Sequence, residues 1–325
     1  MSKHFAIVSI GTNSTRVLLA DMAPAVPRVD FTRSIGTRVG EGLQQSGRLD
    51  ETAMARTLDA VRSHVRAVRG HYLRIFCIAT SAVRRADNRE EFAERVRALV
   101  GTPLRVLDGD EEADASYRGA LTVLDPHRAA ARVGVIDTGG GSTEYAIGDG
   151  AHPERTVSCE IGAVRLTEAA PALAGLEGAV DLATIDKARD LAREALTGIT
   201  DFAAVDQVVL VGGTATSAAS VLRGARTKID RYDVTRADLQ RILVRLCGMP
   251  LEERKAIPGI KAQRADILPA GLIVLDTALD LLGHDRALVT SADLLIGFLI
   301  SQRDAAGTPP KVPGGRSSVP QPASR

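Results

Sequence analysis

Two stretches of the chain repeat one plan: an apolar strand, a turn rich in glycine and hydroxyl side chains, and a second strand. They lie at residues 5–20 and 133–147. Each first strand is a short apolar run that ends at a turn signal, which is typical of a buried strand. Helical patterns separate these segments from further strand patterns, and such alternation indicates an α/β protein. The repeat therefore predicts two α/β domains of related architecture with a cleft between them.

The periodicity of apolar residues predicts the elements of both domains. Met54, Leu58, Val61, Val65 and Val68 form one stripe at helical spacing, with Asp50 as the predicted N-cap and Gly70 as the stop. Asn88 and Glu91 predict a capping box. We expect strands at 5–10, 16–20, 29–34, 74–79, 104–107, 133–136, 143–147, 207–211 and 287–290, and helices at 50–70, 88–100, from 110, 185–197, 214–223, 235–247, 264–282 and 294–301.

The domain boundaries follow from this pattern. We expect a first domain at residues 1–124, joined by a C-terminal helix at 291–303, and a second domain at 125–290. The segment 305–325 contains five prolines, three glycines and no acidic residue, which predicts a disordered tail.

Composition excludes several classes of function. The formal net charge is +1, which disfavours a nucleic-acid-binding protein, and aromatic residues are 3% with no tryptophan, which disfavours a base-stacking surface. The three cysteines are far apart and predict no disulfide framework, so we expect a reducing cytoplasm. No apolar run approaches the roughly 20 residues that cross a bilayer, so we expect no membrane insertion.

The two glycine-rich turns are the first candidate binding elements. Such turns present successive backbone N–H groups and hydroxyls toward one point, which suits phosphate oxygens, although a single such turn is more often only a hairpin. Two of them at matching positions, with a third Gly-Gly-Thr run at a predicted helix start, favour phosphate binding. None of them is a Walker A loop or a dinucleotide-binding fingerprint.

Carboxylates stand beside the second turn. Asp137 ends a buried strand and Glu144 follows the turn, so both can face one cleft, where carboxylates either bind a cation or orient a water. Five further carboxylates lie within residues 108–114, and most of these fit a solvated helix N-terminus. Residues 56–105 contain eleven arginines and five acidic residues, an excess that suits an anionic ligand, although most of these arginines fit solvated helix faces.

Eight stretches in order resemble the exopolyphosphatase/guanosine pentaphosphate phosphatase (Ppx/GppA) family, of the actin, sugar kinase and heat-shock chaperone ATPase superfamily. Among them are IGTNSTRVLLA and VIDTGGGSTEYAIG. The stretches are residues 10–20, 37–43, 79–92, 106–121, 135–148, 161–168, 211–222 and 257–275. The resemblance covers roughly residues 5–300 and matches the short, two-domain form. It implies two ribonuclease H-like (actin-like ATPase) domains with an interdomain cleft.

The resemblance also implies an activity and a set of site residues. The family removes a terminal phosphate from inorganic polyphosphate or from pppGpp. The water-activating carboxylate of the family falls on Glu112, and the positions that hold Mg²⁺ or the water fall on Asp137 and Glu144. The implied substrate-binding residues are those of two phosphate turns, of a third turn where related proteins hold a nucleotide, and three arginines: Gly11, Thr12, Asn13, Ser14, Gly139, Gly140, Gly141, Ser142, Thr143, Gly212, Gly213, Thr214, Arg38, Arg84 and Arg165.

The chain departs from the family pattern at two places. Ser9 stands where family members usually carry an aspartate, and an Asp-Leu-Leu-Ile-Gly run at 293–297 replaces a common Gly-Leu-Arg-Glu-Gly run. These departures leave a second interpretation open, a catalytically weak sensor that binds polyphosphate, ppGpp or pppGpp. A kinase or ATPase of the same superfamily is a third interpretation, and an actin-like filament former is a weaker fourth. We expect a homodimer, which is common for this architecture.

Overall fold

A computed structural model describes residues 4–124 and 131–306 of the chain. The strands are β1 (His4–Ile10), β2 (Ser14–Asp21), β3 (Arg28–Gly36), β4 (Arg74–Ala79), β5 (Leu104–Val106), β6 (Val133–Thr138), β7 (Thr143–Gly148), β8 (Arg155–Cys159), β9 (Gln207–Val211), β10 (Tyr232–Thr235) and β11 (Arg286–Val289). The α-helices are α1 (Leu43–Ser46), α2 (Glu51–Val68), α3 (Ser81–Arg85), α4 (Arg89–Val100), α5 (Gly109–Leu121), α6 (Ala163–Ala169), α7 (Leu182–Ala195), α8 (Gly212–Arg223), α9 (Arg236–Cys247), α10 (Leu251–Lys255), α11 (Leu268–Leu281) and α12 (Leu294–Ala305).

The strands form two mixed sheets that share a five-stranded topology, and the second sheet has one further edge strand, β10, antiparallel to β11. The first sheet has the order β3-β2-β1-β4-β5, and the second has the order β10-β11-β9-β6-β7-β8. In each sheet three consecutive strands form an antiparallel meander, one later strand pairs in parallel with the first strand of the meander, and a further strand pairs in parallel with that one. This order is that of the ribonuclease H-like fold, so the predicted fold class is confirmed. We call lobe I the first sheet with α1–α5 and α12, and lobe II the second sheet with α6–α11.

Helix α2 shows how the sequence pattern becomes structure. The Asp50 side chain accepts a hydrogen bond from the backbone N–H of Ala53 at 2.9 Å, which caps the helix as predicted. The apolar stripe that includes Met54 and Val61 packs against the first sheet as part of the core of lobe I. Burial of one apolar face therefore holds this helix on the sheet.

Helix α12 returns the end of the chain to lobe I. Leu295 and Phe298 pack with Phe5 of β1, and the rings of Phe76 and Phe298 stack edge to face at 5.7 Å. Where α12 crosses α5, a methyl group on Gly297 would lie 1.7 Å from the carbonyl oxygen of Ala115. The two helices can touch at this distance only because the position carries no side chain.

The structure differs from the sequence-based predictions at several elements. The predicted Asn88–Glu91 capping box is wrong: the Asn88 amide bonds both backbone groups of Leu49 instead, at 2.8 and 3.0 Å. The predicted helix at 264–282 begins only at Leu268, because residues 262–264 form a 3₁₀ turn. Six strands and α-helices of the structure were not predicted: α1, α3, α6, α10, β8 and β10.

The division into domains at residues 124 and 290 stays a prediction. Residues 307–325 of the predicted tail lie outside the described residues. Among the described residues, no helix combines the length and the apolar character that a membrane crossing needs. The three cysteines are buried and unpaired.

Candidate functional site

The two glycine-rich turns meet at the centre of the molecule. Each is closed by the same bond, from the N–H of Gly11 to the carbonyl of Ser14 at 3.1 Å and from the N–H of Gly139 to the carbonyl of Ser142 at 3.0 Å. A methyl group on Gly140 would lie 2.9 Å from Cβ of Thr12. The backbones therefore approach more closely than side chains would allow, and the convergence expected from the sequence is present in the structure.

Buried polar atoms without partners line this meeting point. Both side-chain ends of Asn13, the Oγ of Ser81 and the Oγ1 of Thr138 are buried and have no hydrogen-bond partner in the structure. The Ser81 hydroxyl adjoins the second turn, 2.7 Å from the place that a methyl group on Gly141 would take. Buried polar groups normally have a partner, so this cluster is suited to a ligand that supplies several acceptors and donors.

Three buried carboxylates lie beside the turns. Asp137 and Glu144 are directly opposite each other in the β6–β7 pair, so their side chains share one face of the second sheet. Helix α5 covers this face: the hydroxyl of Ser116 donates to Asp137 Oδ2 at 2.5 Å. Glu112 lies one helical turn before Ser116 and is 4% exposed. The structure thus brings together the three carboxylates that the sequence analysis assigned to catalysis, whose roles stay predictions.

Burial and mutual repulsion raise the pKa values of these carboxylates. Burial, with the neighbouring charge of Asp293, raises the pKa of Asp137 to about 6. Burial, with the charge of Asp137, raises the pKa of Glu144 to about 7, although the Ser158 hydroxyl donates to it at 2.8 Å. Burial and then Glu144 hold the pKa of Glu112 well above its usual range. Negative charge is therefore in excess here, which favours a cation or a proton.

The raised pKa values predict how stability changes with pH. Unfolding returns Asp137 and Glu144 to ordinary pKa values, so the folded state binds more protons than the unfolded state between roughly pH 4 and pH 7. The free energy of unfolding should fall as the pH rises through that window. In Glu144→Gln one titrating group is absent, so urea unfolding in EDTA should show a smaller fall. An equal or larger fall in the variant would contradict the raised pKa of Glu144.

The predicted arginines are in place, each beside an acidic residue. Arg84 donates to Glu112 and also to the carbonyl of Leu107 at 2.8 Å. Arg38 donates to Asp266 of lobe II at 2.6 Å, and its backbone has φ of 48°, a strained value of the kind found at functional sites. Arg165 lies 2.5 Å from Glu160. Arginines from both lobes therefore border the carboxylates and turns.

The predicted third turn at residues 212–214 is the first turn of helix α8 itself. Gly212 has φ of 86°, and a methyl group on it would lie 2.5 Å from Asp137 Oδ1. This close contact places the Asp137 carboxylate at the N-terminus of α8, where the helix dipole stabilises negative charge.

Sequence reasoning missed three cations at the same place. A methyl group on Gly213 would lie 2.2 Å from Cζ of Arg264, and Arg264 has no ion-pair partner among the described residues. Burial, then the charge of Arg16, lowers the pKa of Arg264 to about 10, and the pKa of Lys261 is lowered by burial and by Arg264. Arg16 itself donates to Asp293 at 2.6 Å. All three lie within the family-like stretches 10–20 and 257–275, and this position was the signal that could have identified them.

The structure also tests whether the carboxylates fit Mg²⁺. Within residues 4–124 and 131–306, no group of three or more Asp, Glu, His or Cys side chains has the geometry of a metal site. An all-protein cage is therefore absent from this part of the chain. Mg²⁺ is, however, usually held by one or two carboxylates together with water and substrate phosphates. Asp137 and Glu144, with their excess negative charge, fit this kind of binding.

The fold and the site define a two-lobed α/β protein in which two glycine-rich turns and unpartnered polar atoms lie beside buried carboxylates. The chain belongs to the Ppx/GppA phosphatase family, whose model matches residues 25–296. This membership confirms the resemblance inferred from the sequence, and it confirms the prediction of a hydrolase that acts on phosphoric anhydrides.

Individual relatives agree with the family assignment. Exopolyphosphatase 2 of Mycobacterium tuberculosis is 32% identical over 320 residues, which cover 91% of this chain and 97% of that protein. The bifunctional 3-dehydroquinate synthase/phosphatase of Fusobacterium nucleatum is 28% identical, and the chain spans 46% of its length. The crystal structure of the Aquifex aeolicus Ppx/GppA family member has a TM-score of 0.75 at 25% identity and covers 94% of this chain and 99% of its own. An exopolyphosphatase-like protein of known structure has a TM-score of 0.84 at 25% identity, with 94% and 99% covered.

Proposed function

We propose that this protein is an exopolyphosphatase, which releases terminal orthophosphate from inorganic polyphosphate in the cleft between the lobes. The observation that supports this most is the meeting of two phosphate-type turns, with unpartnered buried polar atoms, beside three carboxylates. The name of the M. tuberculosis relative, which matches almost end to end, supports the same substrate.

The chain's own residues supply each part of the reaction. The turns at 11–14 and 139–143 surround the terminal phosphoryl group with N–H groups and hydroxyls. A water held between Glu112 and this group attacks phosphorus in line, and Glu112 takes its proton. The bond from phosphorus to the bridging oxygen breaks, and the shortened chain leaves with that oxygen. Arg38, Arg84 and Arg165, together with residues 212–214, hold the remaining phosphates of the chain.

Mg²⁺ would be held by Asp137 and Glu144 and would neutralise charge on the phosphoryl oxygens. Without a cation these two carboxylates repel the substrate, because they lie at the place where its negative charge enters. Neutralising them would also lower the pKa of Glu112, since Glu144 is one of the groups that raise it.

A specific observation favours a second candidate, a weakly catalytic sensor. Ser9 is buried and stands where family members usually carry an aspartate, so this chain has one fewer acidic group near the first turn. A sensor would bind polyphosphate, ppGpp or pppGpp tightly and release little phosphate. The superfamily alternative, a kinase or ATPase, would form ADP from ATP. Hydrolysis of pppGpp, a bound nucleotide, a homodimer and a cytoplasmic location stay predictions.

Phosphate release tests the proposal. The protein is incubated side by side with long-chain polyphosphate, pppGpp and ATP, with Mg²⁺ or with excess EDTA. We expect release from polyphosphate that needs Mg²⁺ and falls at least about tenfold in EDTA, because the uncompensated carboxylates then repel the substrate. Tight binding of polyphosphate without release at saturating Mg²⁺ would establish the sensor instead, and formation of ADP alone would establish the ATPase.

A further inference from the structure

Glu160 forms ion pairs with three arginines at the outer side of the candidate site. It directly follows β8, and its side chain is 47% exposed. Its carboxylate lies 2.5 Å from Nη1 of Arg165 in lobe II, 3.5 Å from Nε of Arg85 and 3.7 Å from Nη2 of Arg84, both in lobe I. One carboxylate thus lies between guanidinium groups of both lobes.

This arrangement is the one that arginines form around a phosphate group. Guanidinium groups present several N–H donors in a plane and bind phosphate or carboxylate oxygens with the same geometry. One of the three, Arg84, also donates to Glu112, which the proposed mechanism uses as the base. The Glu160 carboxylate therefore occupies an anion position, and the guanidinium group of Arg84 lies between it and Glu112.

The contacts of Glu160 are easy to break. Only the contact with Arg165 is within hydrogen-bond distance, and the other two are longer ion pairs at the edge of the cleft. A half-exposed ion pair contributes little to stability, because solvent screens it. A phosphate group of polyphosphate offers more oxygens to the same guanidinium groups than a carboxylate does, so it can displace Glu160.

We infer that Glu160 takes the place of a substrate phosphate in the ligand-free protein and thereby lowers the affinity of the cleft for polyphosphate. The inference rests on the proposed function, since it concerns the binding of the same chain. When polyphosphate binds, the carboxylate leaves and its three arginines turn to an inner phosphate of the chain. Glu160 does not touch the terminal phosphoryl group, so it acts on binding and not on the chemical step.

The variant Glu160→Gln tests this inference. It keeps the size of the side chain and removes the charge that competes with the substrate. We expect KM for polyphosphate to fall about tenfold, because each of the three solvent-screened ion pairs contributes less than a factor of ten to the competition. We expect kcat to stay within about twofold of wild type. The dissociation constant of polyphosphate, measured by calorimetry in EDTA, should fall by a similar factor. Glu160→Ala should change both constants in the same direction.

The matched control is Glu154→Gln. Glu154 directly precedes β8, at the opposite end of the strand from Glu160, and it is 41% exposed and paired with Arg132. The variant therefore loses a comparable ion pair that lies away from the cleft. Its KM and kcat for polyphosphate should stay as in wild type.

The outcomes separate the inference from the function on which it rests. If Glu160 only held the arginines in position, Glu160→Gln would raise KM or lower kcat. Either result, or an unchanged KM with active wild-type enzyme, would overturn the role of Glu160 and leave the proposed function intact. A wild-type protein that neither binds nor hydrolyses polyphosphate would overturn the proposed function and, with it, this inference.

Discussion

Replacing Glu112 with glutamine should lower kcat on polyphosphate by about 10²- to 10⁴-fold, the usual contribution of a positioned general base. Glutamine has nearly the same shape and can still accept a hydrogen bond from Arg84, but it cannot take the proton of the attacking water. Binding of polyphosphate should persist, because the two turns and the arginines are unchanged. Steady-state kinetics and calorimetry with polyphosphate measure the two effects separately.

The neighbouring residue provides the control for this substitution. Glu111 lies on the same turn of α5, but its carboxylate accepts a hydrogen bond from the backbone N–H of Asp108 at 3.0 Å in the capping box of the helix. Glu111→Gln should cost at most about 1 kcal/mol of stability and should leave kcat near wild type. Full turnover in Glu112→Gln would show that another group accepts the proton.

Replacing Gly297 with alanine should destabilise the protein by about 3 kcal/mol or more, at the upper end for an overpacked core. The new methyl group would lie 1.7 Å from the carbonyl oxygen of Ala115 and 2.7 Å from its carbon, so α12 must move away from α5. Urea unfolding followed by circular dichroism measures the loss. Activity should also fall, because α5 carries Glu112 and Ser116.

Gly150→Ala is the control for the crowded glycine. A methyl group at Gly150 meets no heavy atom within 4 Å, so its free energy of unfolding should stay within about 0.5 kcal/mol of wild type. Equal stability of the two variants would mean that α5 and α12 are not packed at the distance described.

Elements with strong local signals were predictable from the sequence. Helix α2 has a continuous apolar stripe and a good N-cap, and β4 is a short apolar strand whose observed bounds, Arg74–Ala79, equal the predicted ones. The repeat of strand, turn and strand predicted the hairpins β1–β2 and β6–β7, because β1 and β6 are buried along their whole length or nearly so. In these cases local pattern and tertiary burial agree.

Elements stabilised by tertiary contacts were not predictable in the same way. Helix α6 begins where the N–H groups of Ala163 and Val164 donate to the carbonyls of Gly139 and Gly140, partners that are more than twenty residues away. Strand β8 is a half-exposed edge strand without regular alternation. Asn88 is a residue type that favours helix N-caps, but its side chain binds the backbone of Leu49 instead. The folded chain brings the segment around Leu49 against Asn88.

In the candidate site, too, some residues could be predicted from local sequence patterns and others could not. The turns and the pair Asp137 and Glu144 could be inferred from residue types and position, whereas Glu112 could be chosen among five acids only through the family resemblance. Its neighbours Asp108 and Glu111 form the capping box of α5. The sequence pattern alone was equally compatible with a place for Glu112 at the solvated helix N-terminus. The partner of Arg38, Asp266, depends on how the lobes meet, and no local sequence pattern indicates it.

The return of α12 to lobe I has a consequence for synthesis of the protein on the ribosome. Lobe II is continuous in sequence, so its core can close as soon as its last strand has emerged. Lobe I lacks Leu295 and Phe298 until translation has passed residue 298, although its own strands emerge first. Domains usually complete their folding in the order of synthesis. In this chain the lobe made first is the one completed last.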